Sequence, residues 1–124
     1  MGPHDNQPVI HTGAPPQSAE AVMIMVHGRG AGPNGILPLA TAIDRPTLAY
    51  LAPSAAGGTW YPYSFMSPRE QNEPGLSSAL RVLESLVTQL ISDGVPEHKI
   101  VLLGFSQGAC LASEFSVRHP RRPR

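Results

Sequence analysis

Apolar positions along this chain fall into three short runs and one long helical stripe. Residues 21–26 are six consecutive apolar residues, Ala-Val-Met-Ile-Met-Val, a pattern that suits a strand covered on both faces. Residues 47–52 read as a second strand, ended by Pro53, and residues 99–103 as a third around the run Ile100-Val101-Leu102-Leu103. Leu76, Leu80, Leu83, Val87, Leu90 and Ile91 recur at helical spacing, which predicts a helix over residues 73–93 with one apolar face. Gly94 and Pro96 stop it. A shorter helix is expected over residues 36–43 and a last one from Ser106 onward.

Strands alternating with helices imply βαβ units, hence an α/β fold with a mainly parallel sheet and helices on both faces. In such a sheet the working loops lie at the carboxyl ends of the strands. Residues 27–32, 53–60 and 104–108 are all loops of that kind, so three separate stretches converge on one edge. The polar first stretch, with Pro3, Pro8, Pro15 and Pro16, reads as a tail over residues 1–19 with a short edge strand at Val9-Ile10-His11. Residues 20–120 then form a single partial domain, and residues 121–124 a basic tail. No internal repeat is present.

Composition narrows the class. A chain of 124 residues holds one domain, and its 14 Pro and 12 Gly, mostly before residue 75, make that part loop-rich. Nine basic residues balance nine acidic ones, which argues against a nucleic-acid binder. The arginines at 118, 121, 122 and 124 read as a solvated end. A single cysteine, Cys110, rules out an internal disulfide and fits a reducing compartment; in the last helix it reads as a small buried hydrophobe. Without a signal-peptide stretch, a run of membrane-spanning length or a myristoylation pattern, a soluble, cytoplasmic protein is the expectation.

The candidate chemistry sits between the third strand and the last helix. Gly104-Phe105-Ser106-Gln107-Gly108 spells G-x-S-x-G, and strand, sharp turn and helix in that order present the serine as a nucleophile at the top of a sheet. Acyl transfer also needs two donors aimed at the developing oxyanion. The backbone N–H of Gln107 is one, because it begins a helix. The loop after the first confident strand supplies the other in His27-Gly28-Arg29-Gly30, with Arg29 offering its N–H and Gly28 and Gly30 letting substrate approach. His27 shapes this turn or, as an alternative, serves as base. The aromatic loop with Trp60, Tyr61, Tyr63 and Phe65 either lines an acyl pocket or packs onto the sheet. Gly30-Ala31-Gly32-Pro33-Asn34-Gly35 matches the dinucleotide fingerprint, yet it starts three residues too late and no acid ends the second strand. No P-loop occurs, and His and acidic residues form no metal-ligand spacing, so neither cofactor nor metal is expected.

These residues carry a resemblance. Val26-His27-Gly28-Arg29-Gly30-Ala31, then Trp60-Tyr61, then Leu103-Gly104-Phe105-Ser106-Gln107-Gly108-Ala109 resemble the phospholipase/carboxylesterase family of α/β-hydrolases, which includes acyl-protein thioesterases and small bacterial carboxylesterases. The resemblance runs from about Ala21 to Pro120. It implies hydrolysis of a small acyl ester or thioester through an acyl-serine at Ser106, with Arg29 and Gln107 at the oxyanion-hole positions and the Trp60 loop bordering the acyl pocket. In that family the triad Asp and His both follow the serine. Here Asp5, Asp44 and Asp93 precede Ser106, and His119, in the predicted last helix, is carried away from it. The expectation is therefore the N-terminal portion of an α/β-hydrolase fold, truncated after the elbow. Its stand-alone activity is in doubt, and the alternative is an inactive half-domain that pairs with another chain. The last strand would then leave a flat apolar edge open to self-association.

Overall fold

The computed structural model describes residues 2–43, 47–63 and 66–118. Four strands, β1 (Val9–Gly13), β2 (Ala21–Val26), β3 (Leu48–Pro53) and β4 (Ile100–Gly104), form one sheet in the order β1-β3-β2-β4. Strand β2 pairs in parallel with β3 and β4, while β1 runs antiparallel along β3 with Val9 opposite Pro53. Among the described residues, α1 (Pro33–Ile36) and α2 (Pro38–Ile43) join β2 to β3, α3 (Gly75–Ser92) lies between β3 and β4, and α4 (Gln107–Arg118) follows β4. This is the mainly parallel α/β arrangement that the alternation of strands and helices implied.

Because side chains alternate across a strand, β2 serves two cores. Val22, Ile24 and Val26 pack with Leu83 and Leu90 of α3 and Leu111 and Phe115 of α4. Met25 points to the opposite face, where it meets Tyr50, Ala52 and Ile36, with Leu37 and Ala40 packed around them. A strand flanked by neighbours on both edges and helices on both faces can be apolar throughout, hence the unbroken run at residues 21–26.

Helix α3 follows its apolar stripe closely. Glu73 caps its start, Oε1 accepting from the Ser77 amide at 2.9 Å and Oε2 from the Ser77 hydroxyl at 2.6 Å. Its end is closed by Gly94 at φ 100°, with Val95 N–H donating to Leu90 O at 2.9 Å. The single helix expected over residues 36–43 is instead two short ones. Pro38 has no N–H to donate back to Asn34, so the first ends and the second starts on the proline.

The N-terminal stretch, expected as a polar tail with an edge strand at residues 9–11, carries that strand over Val9–Gly13 and is docked further upstream. His4 is buried, its N–H donating to Ser78 Oγ at 3.0 Å on α3. At the opposite side of the sheet β4 pairs only with β2, and among the described residues nothing bonds its second edge. His119, Asp44, Phe65 and residues 121–124 lie outside the described residues.

Candidate active site

Ser106 is exposed and holds a left-handed backbone, φ 58°, between the end of β4 and the first turn of α4. For a residue with a side chain that conformation costs about 1–2 kcal/mol, which the surrounding turn must impose. Two glycines explain how. A Cβ on Gly104 would collide with Gly108 O and lie 2.5 Å from Ala109 N, and a Cβ on Gly108 would collide with Val26 O. Strand, serine and helix are thus folded back with no room for a side chain at Gly104 or Gly108, and Ser106 is turned outward beside the exposed Phe105.

The loop after β2 abuts this elbow. Phe105 N–H donates to Val26 O at 3.2 Å, and a Cβ on Gly28 would sit 3.1 Å from Phe105 O and 3.3 Å from Ser106 Cβ. A side chain at position 28 would therefore crowd the serine, and the glycine leaves that space open. Gly30, at φ 74°, donates its N–H to Gly58 O at 2.8 Å. Among the described residues no protein acceptor takes the backbone N–H of Arg29 or of Gln107. At Gln107 this follows from its place as the first residue of α4, whose leading amides have no intrahelical acceptor.

The histidines nearby are committed elsewhere. His27 donates from Nδ1 to Gly28 O at 2.8 Å, and its Nε2 accepts from Ala55 N–H at 3.1 Å. His4 donates from Nε2 to Trp60 O at 2.6 Å, and its Nδ1 accepts from Ala56 N–H at 3.0 Å. Each ring must be neutral to do both, and burial lowers both pKa values from the ordinary 6.5. The alternative of His27 as general base is thereby answered: it shapes the turn, since both ring nitrogens are bonded to backbone groups. His11 sits mid-strand on β1, opposite Leu51. His98 precedes β4 and so lies at the end of that strand away from Ser106.

The aromatic loop splits between its two readings. Trp60, open between pocket and packing on its residues and set beside the acyl pocket by the resemblance, has no exposed surface. Its indole stacks on His27 with centroids 4.9 Å apart, meets His4 edge-on at 5.2 Å, and donates from Nε1 to His27 O at 2.9 Å. It packs the loop onto the sheet rather than facing a substrate. Tyr61 is also buried but borders a cavity of about 230 Å³ with Leu76, Cys110, Leu111 and Glu114. Burial, seconded by Cys110 and Glu114, pushes its hydroxyl up to about 12.

Two participants escaped the sequence. The Gln107 side chain is buried and accepts from Trp60 N–H at 2.9 Å through Oε1 while donating from Nε2 to Tyr61 O at 2.8 Å. Helical periodicity carries no signal for a polar residue buried at a first turn. His4 lies in a stretch whose composition reads as solvated. Among the described residues no group of three His, Cys, Asp or Glu side chains could hold a metal ion. No helix among them is long and apolar enough to cross a membrane.

Comparison with known proteins agrees with this arrangement. Residues 6–123 match the model of the phospholipase/carboxylesterase family. Acyl-protein thioesterase 1 of Kluyveromyces lactis is 32% identical over 121 residues, covering 84% of this chain and 53% of the yeast protein. The crystal structure of a phospholipase/carboxylesterase from Dyadobacter fermentans superposes with a TM-score of 0.89 at 39% identity, over 96% of this chain and 56% of that one. A carboxylesterase from Mesorhizobium loti, at 20% identity and a TM-score of 0.65, shares the fold. The chain spans about half the length of the relatives it matches. It belongs to the phospholipase/carboxylesterase family of α/β-hydrolases.

Proposed function

We propose that this chain supplies the nucleophile and the oxyanion-binding turn of a serine hydrolase acting on carboxylic esters or thioesters. The observation that carries this reading is Ser106 itself: an exposed serine at φ 58°, held between two glycines that admit no Cβ, with Gly28 against its side chain. Strain at a hydroxyl that presents itself to solvent is a common mark of a working nucleophile. Ser106 Oγ bonds to the substrate carbonyl carbon, its proton leaves to a base, and the carbonyl electron pair moves onto oxygen. That oxyanion accepts from the backbone N–H groups of Arg29 and Gln107, which no acceptor takes among the described residues. Collapse expels the alcohol or thiol and leaves an acyl-serine, which water then cleaves. On this reading Gly28, whose Cβ position lies 3.3 Å from Ser106 Cβ, and Gly30 of the same turn border the reacting carbon, and Tyr61 belongs to the acyl pocket. The base is neither His4 nor His27, whose nitrogens are engaged.

The test is turnover of p-nitrophenyl acetate and of a short acyl thioester by the wild-type chain and by Ser106→Ala. Hydrolysis lost in the variant supports the reading. Hydrolysis equal in both removes Ser106 from the chemistry.

A second reading has its own support in β4, whose outer edge is unbonded among the described residues while Val101, Leu102 and Leu103 are only half-buried. Such an edge is a template for another strand. On this reading the chain pairs through β4 with a second copy or another polypeptide, and the assembly, not the monomer, is the working unit. A concentration-independent monomer in sedimentation velocity, with full ester turnover, would discard it. A cytoplasmic location is part of this proposal, supported by the single Cys110, which fits a reducing compartment.

A further inference from the structure

We propose that Arg29 and Gln107 act through their side chains as positioning residues, gripping three consecutive carbonyls of the aromatic loop so that this loop braces the two oxyanion turns against each other. The inference rests on the acyl-serine reading and adds to it a mechanical role for the same two residues. Gln107 Nε2 donates to Tyr61 O at 2.8 Å, Arg29 Nη1 to Pro62 O at 3.0 Å, and Arg29 Nη2 to Tyr63 O at 3.1 Å. The loop answers in kind: Trp60 N–H reaches Gln107 Oε1 at 2.9 Å, and Gly58 O holds Gly30 N–H at 2.8 Å. Each residue whose backbone N–H faces the oxyanion thus anchors its own side chain on residues 61–63.

The chemistry of the two grips differs. Gln107 is 7% exposed, so an apolar replacement leaves Trp60 N–H and Tyr61 O unpaired in a buried place. The Arg29 guanidinium is solvent-exposed and spans two adjacent carbonyls with one planar fork, which a lysine ammonium cannot reproduce. Arg29 lies in the loop after β2 and Gln107 in the elbow after β4, so no covalent path of short length fixes their separation. Oxyanion stabilisation depends on that separation, because small misplacements of donors lose most of their effect.

Amide hydrogen exchange on the intact chain tests the brace without requiring turnover. In Gln107→Met, exchange should quicken by about tenfold at Trp60, whose bond is removed, and also at Gly30, which Gln107 does not touch. In Arg29→Met the Trp60 amide should respond in turn, with Arg29→Lys intermediate. Ile24 and Leu83, deep in the core, report that the fold is intact. Phosphonylation supplies the chemical arm: a fluorophosphonate gives a Ser106 Oγ–P bond with loss of fluoride and a proton. The brace predicts a maximal labelling rate lowered about tenfold in Gln107→Met, half-saturation changed less than about twofold, and partial rescue in Arg29→Lys. Exchange confined in each variant to the amide that lost its own partner overturns the brace. So do coupled exchange and an unchanged labelling rate. Coupled exchange with an unreactive wild-type Ser106 upholds the brace and fails the acyl-serine reading instead.

Discussion

Gly108 of the elbow helix lies so close to His27 that a Cβ on it would stand 2.5 Å from the His27 carbonyl oxygen. The same carbonyl accepts the Trp60 indole N–H at 2.9 Å, so it cannot swing aside without releasing the aromatic loop. Backbone on one side and a fully buried ring on the other leave an added methyl nowhere to go. Gly108→Ala should therefore lower stability by about 3 kcal/mol or more, at the upper end of overpacking costs. Urea unfolding of the variant checks this, and a midpoint unchanged from wild type would mean that the elbow yields more easily than its contacts indicate.

Ser106 pays for its outward position in backbone conformation. At φ 58° an alanine keeps the steric cost and loses only the hydroxyl, whereas glycine removes the cost. Ser106→Gly should be more stable than Ser106→Ala by about 1 kcal/mol, the left-handed penalty less the extra freedom of glycine in the unfolded chain. Thermal unfolding of the two side by side decides it. An alanine variant as stable as the glycine variant would argue against strain at the elbow.

The neutral imidazoles give the protein an acid limb. His4 and His27 are lowered below 6.5 chiefly by burial, partly offset at His27 by its bond to Gly28 and at His4 by its bond to Trp60 and by the nearby Asp5. The unfolded chain takes up these protons near pH 6.5 while the folded one resists, so the unfolded state binds more protons in that window. Stability should be full above pH 6.5 and fall as the pH drops through it toward the lowered folded values. Tyr61 works oppositely: with its hydroxyl raised from 10.0 to about 12, stability should decline as pH rises across that interval. Urea midpoints from pH 5 to 8 read the first limb. A flat profile there would mean that neither ring resists its second proton in the folded chain, against the bonds to the Ala55 and Ala56 amides.

Strands β2, β3 and β4 and helix α3 were legible in the sequence because each follows one period without interruption. The elbow was legible for a different reason: G-x-S-x-G between a strand and a helix leaves few foldings. What the sequence hid was long-range and polar. Nothing in Gly-Pro-His-Asp marks His4 as the partner of Trp60 fifty-six residues on, because a buried imidazole is defined by the amides it meets rather than by its neighbours in sequence. The Gln107 side chain is similar: the pattern fixes its backbone and says nothing of the Trp60 and Tyr61 groups it joins. Trp60 was left between pocket and packing, and its complete burial between two histidines decided for packing.

The most direct measurement is site-resolved labelling of the folded chain with a fluorophosphonate, followed by peptide mass analysis. The expected result is a single adduct on the peptide containing Ser106, absent from Ser106→Ala and from protein unfolded in urea beforehand. An adduct on another residue, an adduct that survives Ser106→Ala, or folded protein that leaves Ser106 unmodified would contradict the assignment of this serine as the nucleophile.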